Sequence, residues 1–134
     1  AVATQTERIR LATSVVNPFY RHPSLIAASI STLDRLSNGR ARLGLGRGQT
    51  ARYSQALGME VAHPLARLEE TISLLRQWWG PDHRAVSDGP FHVQGWHRKF
   101  GPMAAPPIYL AAAGQHAVAL AGRMANGIIF NDLQ

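Results

Sequence analysis

The sequence predicts an α/β fold built on parallel strands, and three observations carry that prediction. Short apolar or alternating runs recur between longer runs whose apolar residues sit at i, i+4, i+7 spacing. Proline opens two of the helix-like runs, and Asn-Gly closes two of them. The order is β-α-β-α-β-α-β, with connections short except for one, which calls for parallel strands joined by right-handed crossovers.

The first strand spans residues 8–16, with Ile9, Leu11, Thr13 and Val15 on one face and Arg10, Ala12 and Ser14 on the other. Asn17-Pro18 ends it, because proline has no N–H to give a ladder. Pro23 opens a helix at the position where its missing N–H costs nothing, and Ile26, Ile30 and Leu33 form one buried stripe. Asn38-Gly39 stops it with residues that tolerate a left-handed backbone. A second strand covers 41–46. Pro64 opens the next helix, with Leu65, Leu68, Ile72, Leu75 and Trp79 inward and Arg67, Glu70 and Gln77 outward; Gly80-Pro81 ends it.

Between 82 and 107 the pattern breaks: Gly, Pro and His are frequent, and Ser87-Asp88-Gly89 suggests a turn between two short strands. This stretch reads as a hairpin-like excursion from the main fold. The third main strand, 108–113, is almost wholly apolar, as a strand buried on both faces should be. A helix over 115–125, its Asn126-Gly127 stop and a strand over 127–130 complete the order. Four strands can make a small open sheet; a closed (β/α)8 barrel needs eight strands and ~250 residues.

Composition narrows the function classes. The chain has 134 residues, 46% apolar and 16% charged, enough for one core. No apolar run approaches the ~18–20 residues of a membrane span. There is no cysteine, which excludes a disulfide scaffold, a zinc knuckle and a thiol nucleophile. Residues 1–7 lack the basic-then-apolar pattern of a secretory signal, so a cytoplasmic protein is expected. The net charge of +6 would suit nucleic acid, yet the basic residues are scattered and Arg98-Lys99 is their longest run. A small basic nucleic-acid-binding α/β domain without catalysis is the alternative reading, and steep salt dependence would be its mark. The six histidines show no i, i+4 pair and no H-E-x-x-H, against a zinc site, and no G-x-S-x-G elbow occurs. Glu69 and Glu70 read as solvated or paired with arginine, and Trp78-Trp79 as core.

In parallel α/β folds, ligands collect at the C-terminal ends of the strands. Three such ends are candidates. The first, residues 13–18, offers the hydroxyls of Thr13 and Ser14 and the amide of Asn17 to a polar ring or ribityl chain; the same groups could simply cap the strand and turn the chain. The second, residues 44–49, has glycines at 44, 46 and 48 that let backbone approach a ligand, and Arg47 could meet an anion. Its spacing is G-x-G-x-G, not the dinucleotide G-x-G-x-x-G. The third, residues 111–116, places Gly114 and Gln115 at a helix N-terminus, where free N–H groups and the helix dipole suit a phosphate.

The segment Arg8-Ile9-Arg10-Leu11-Ala12-Thr13-Ser14-Val15-Val16-Asn17-Pro18, then Arg21-His22-Pro23, the helix end at residues 33–40, and Gly44-Leu45-Gly46-Arg47-Gly48 resembles one family. It is similar to the bacterial luciferase-like flavin and deazaflavin oxidoreductases, particularly the methylenetetrahydromethanopterin reductase-like branch. Pro107-Ile108-Tyr109-Leu110-Ala111-Ala112-Ala113-Gly114, with residues 120–123 and Asn126-Gly127, matches the same family in order.

The resemblance implies a (β/α)8 TIM barrel holding coenzyme F420 or FMN at its C-terminal mouth, with hydride transfer or monooxygenation there on a small-molecule substrate. Residues 1–134 would form a single partial barrel domain of about four β/α units, with the insertion at about 82–107 and flanking strands missing at both ends. The full-length parent would be a homo-oligomer, binding neither nucleic acid nor membrane. The cofactor-binding residues implied are Ser14, Val15, Asn17, Gly46, Gly48, Gln49, Gly114 and Gln115, with Ser14-Val15 at the position of a non-prolyl cis peptide. No metal ligand and no catalytic residue is assigned. In the sugar-phosphate dehydrogenase branch a catalytic glutamate stands where this chain has Gln49, whose amide is neither acid nor base. The reductase-like segments incline the reading toward F420.

Overall fold

The computed structural model describes residues 1–130. In chain order the elements are α1 (Val2–Gln5), β1 (Leu11–Ala12), α2 (Pro23–Leu36), β2 (Ala41–Leu45), α3 (Thr50–Leu57), α4 (Pro64–Trp79), β3 (Arg84–Val86), β4 (Gln94–His97), β5 (Ile108–Ala111), α5 (Gln115–Met124) and β6 (Gly127–Ile129). The predicted strands and the three long helices are present, each strand shorter than predicted. Two further helices, α1 and α3, lie outside the predicted elements, and among the described side chains neither buries an apolar stripe to announce it.

The main sheet is four-stranded, ordered β1-β2-β5-β6, with every pair parallel. Strand order follows chain order without reversal, so the sheet has no switch point of the doubly wound kind. Helix α2 packs on β2, α5 packs on β5 and β6, and α4 lies against both helices. The result is one continuous helical layer over a singly wound sheet.

The core lies between these layers. Leu43 and Leu45 of β2 and Ile108 and Leu110 of β5 meet Ile26, Ala27 and Ile30 of α2, Leu68, Ile72, Leu75 and Trp79 of α4, and Leu120 of α5. Trp78 is fully buried and donates from Nε1 to the Trp96 carbonyl at 2.9 Å. Helix α2 starts at Pro23 behind His22, whose Nδ1 accepts the Ser24 N–H, and stops where Asn38 and Gly39 turn to φ 55° and 79°. The Gly39 N–H then satisfies the Asp34 carbonyl at 2.8 Å.

The first strand is where the reading of 8–16 needs correction. Only Leu11–Ala12 pairs as a strand, and Ile9, predicted on the same strand face as Leu11, is 57% exposed. Pairing resumes at Val16, which bridges Leu45. Between the register Ala12↔Arg42 and that bridge, the first chain has one residue more than the second, which makes a bulge.

The excursion is a separate antiparallel pair, β3 with β4, apart from the main sheet. It corrects the outward assignment of Arg67, Glu70 and Gln77, which share one face of α4 and meet the hairpin, Glu70 buried and the other two half-buried. The Gln77 amide brackets Val86, accepting its N–H at 3.0 Å and donating to its carbonyl at 3.2 Å. Glu70 is buried, and its carboxylate accepts the Ser87 hydroxyl at 2.5 Å and the Phe91 N–H at 3.0 Å. Glu69 points away and forms an exposed ion pair with Arg123.

Among the described residues, no helix is long and apolar enough to cross a membrane.

Candidate functional site

The bulge in the first strand prepares the site. Thr13 uses its hydroxyl in place of backbone pairing, holding both the N–H and the carbonyl of Gly44. A Cβ on Gly44 would overlap the Thr13 carbonyl oxygen, so glycine is what lets β1 and β2 close together here. The Ser14–Val15 peptide is cis, at the position the resemblance implied. Val16 then rejoins β2, its N–H on the Gly44 carbonyl at 2.9 Å and its own carbonyl accepting the Gly46 N–H at 3.0 Å.

Beyond these strand ends lies a cleft of about 580 Å³. Ser14 and Val15 line it after β1, Arg47, Gly48 and Gln49 after β2, and Ala112 to Gln115 after β5. Pro64, Leu65 and Leu68 of α4 give it an apolar wall, and Ile129 closes one side. Gly48 has φ 65°, a conformation open to glycine, and leads into α3. Six of the eight predicted cofactor-binding residues (Ser14, Val15, Gly48, Gln49, Gly114 and Gln115) thus line one cleft.

The other two do not line it. Asn17 is 9% exposed, and its Oδ1 accepts the N–H groups of Phe19 and Tyr20 at 3.2 and 3.1 Å. That is the turn-forming use of asparagine, and it fixes the chain direction just after the cis peptide. Gly46 is buried beneath the cleft. A Cβ there would lie 2.9 Å from the Ala111 Cβ and 3.1 Å from Val15 Cγ2, so its bareness lets the flanking strands close over β2.

The electrostatics follow from the helix that ends at the cleft. Helix α5 begins after Gly114, with no acidic residue in its first turn and no side-chain cap. The Val118 N–H donates to the Gly114 carbonyl, and the N–H groups of Gln115, His116 and Ala117 before it have no acceptor within the helix. Among the described residues, a Cβ built on Gly114 meets nothing within 4 Å. Arg47 and His116 line the same cleft, and among the described residues no carboxylate does. A ligand with a flat apolar ring and an anionic end fits such a site.

Ile129 and the α4 wall escaped the sequence reading of the site, whereas His116 closes the third predicted strand end, residues 111–116, without being one of the eight cofactor-binding residues. Leu65 and Leu68 look like any buried stripe, and only the end of the sheet on which α4 begins turns them into a wall.

A singly wound parallel sheet under one helical layer, with its cleft at the strand C-termini, is the wall and mouth of a (β/α)8 barrel. The chain belongs to the luciferase-like monooxygenase family, which matches residues 1–134. It is 33% identical over 130 residues to 5,10-methylenetetrahydromethanopterin reductase of Methanolobus tindarius, covering 97% of this chain and 39% of that protein. It is 34% identical over 133 residues to the F420-dependent glucose-6-phosphate dehydrogenase of Amycolatopsis mediterranei, covering 96% and 40%. Among solved structures, the coenzyme F420 dependent tetrahydromethanopterin reductase from Methanopyrus kandleri superposes with a TM-score of 0.80 at 27% identity, over 96% of this chain and 42% of that one. The chain therefore spans about 40% of the length of the relatives it matches.

Proposed function

We propose that this chain supplies the cofactor-holding part of a flavin- or deazaflavin-dependent oxidoreductase, with coenzyme F420 favoured over FMN. The observation that carries the reading is the convergence of Ser14, Val15, Gly48, Gln49, Gly114 and Gln115 on one cleft. Its volume of about 580 Å³ is in the range of ligand pockets. The F420-dependent relatives favour the deazaflavin.

In this reading the apolar wall of Leu65 and Leu68 shields the ring from water, and Ser14–Val15 supports it from the sheet side. The free N–H groups at the start of α5 donate to the phosphate, with Arg47 adding charge. When bound, the cofactor supplies the hydride chemistry. Gln49 offers hydrogen bonds and no proton transfer, since an amide is neither acid nor base at neutral pH.

The test is a fluorescence titration of the protein with F420 and, separately, with FMN. Saturable binding of F420, weakened by a carboxylate placed at the start of α5, is the expected result. No saturable binding of either cofactor overturns the reading for this chain.

A further inference from the structure

Arg67 breaks three local rules at once. It sits in the first turns of α4, where the positive end of the helix dipole disfavours a cation. Its guanidinium has no salt bridge or hydrogen bond among the described residues, and its Nε is buried without a partner. The helix start it belongs to is itself weakly held: the residue before Pro64, His63, is left-handed at φ 50° and gives no side-chain cap.

What Arg67 does have is two aromatic faces. Its guanidinium carbon lies 5.8 Å from the centre of the Phe19 ring and 5.6 Å from that of Phe91. Phe19 belongs to the loop after the cis peptide, the loop that Asn17 ties by its Phe19 and Tyr20 N–H bonds. Phe91 belongs to the hairpin segment that Glu70 grips, and its ring meets the His22 ring edge-on at 5.4 Å. One cation thus joins the loop behind the cleft's floor, the helix that forms its apolar wall and the hairpin outside both.

We infer that Arg67 is a positioning residue: held between Phe19 and Phe91, it sets the spacing between the Ser14–Val15 floor and the Leu65–Leu68 wall, and so the fit of a flat ring between them. The inference rests on the cofactor reading above. Cation–π attraction suits this task because it holds without a directional hydrogen bond.

The test compares Arg67→Met, which keeps the apolar stem, with Arg67→Lys, which restores a cation able to lie on a ring. Two readouts are taken well below the melting temperature: amide exchange at Phe19 and Tyr20, and the Kd for F420 and FMN. The methionine variant is expected to speed exchange at both amides and weaken cofactor binding about fivefold, the scale of a cation–π contact. The lysine variant is expected to recover most of both. Exchange and Kd equal to wild type in Arg67→Met would overturn the inference, as would a loss that lysine does not restore. If the unaltered protein binds neither cofactor, the proposed function falls and the exchange rates alone decide the role of Arg67. Should Arg67→Met fail to fold, Phe19→Leu removes one ring, leaves the cation in place and is read the same way.

Discussion

Thr13 Oγ1 bonds both backbone groups of Gly44, accepting its N–H at 3.0 Å and donating to its carbonyl at 2.9 Å. A side-chain hydroxyl here does the work of a strand. The Gly44 carbonyl also accepts from Val16, while the Gly44 N–H donates to Thr13. Thr13→Val keeps the shape, strands that buried donor and should cost about 1–3 kcal/mol in denaturant unfolding. Thr13→Ser keeps the hydroxyl and should lose less. A valine variant as stable as wild type would show that water or a shifted strand satisfies Gly44.

Glu70 fastens the hairpin. Glu70→Ala leaves the part-buried Phe91 N–H without its acceptor and should destabilise the protein by about 1–3 kcal/mol. Amide exchange over residues 84–97 should rise before that of α2 does. Gly89→Ala should give the same pattern by another route, since its Cβ would fall 2.6 Å from the Glu70 carboxyl carbon. Uniform exchange across hairpin and core in both variants would contradict this attachment.

His22 predicts a pH dependence. Burial holds its imidazole below the ordinary histidine value of 6.5, against a smaller opposing pull from Glu70. The neutral ring is also the one whose Nδ1 can accept the Ser24 N–H at the start of α2. A base with a lowered folded pKa binds more protons unfolded, so its contribution is complete above pH 6.5 and is lost as pH falls through the folded value. Melting temperature should therefore decline from pH 7 toward pH 5 more in the wild type than in His22→Asn, which caps without titrating there. Parallel curves would remove His22 from the account.

At the start of α5, fold and function should pull in opposite directions. His116→Asp places a negative charge in the first turn, which should stabilise the helix by about 0.3–1 kcal/mol. The same charge faces the site proposed for a phosphate and should weaken cofactor binding roughly tenfold. A raised melting temperature with a raised Kd is the signature. If both improve, the anion is not bound there.

The sequence by itself determined the alternation of strands and helices, their parallel sense, and where α2, α4 and α5 start. These follow from apolar spacing, from Pro23 and Pro64 at helix starts and from Asn38-Gly39 at a stop, all short-range features. It also marked the three strand ends, so most of the cleft was legible as soon as parallel strands were. Tertiary structure decided the rest. A polar face on α4 reads as solvent-exposed until something covers it, and Arg67, Glu70 and Gln77 are covered by a hairpin from further along the chain. Asn17 and Gly46 carry the same residue types whether they touch a ligand or shape the backbone behind it. The local bonds of Asn17 Oδ1 to the Phe19 and Tyr20 N–H groups, and the meeting of β1, β2 and β5 around Gly46 through contacts tens of residues apart, appear only in the fold. Strand order without reversal likewise appears only when all four strands are paired, and it is what distinguishes a barrel wall from an open doubly wound sheet.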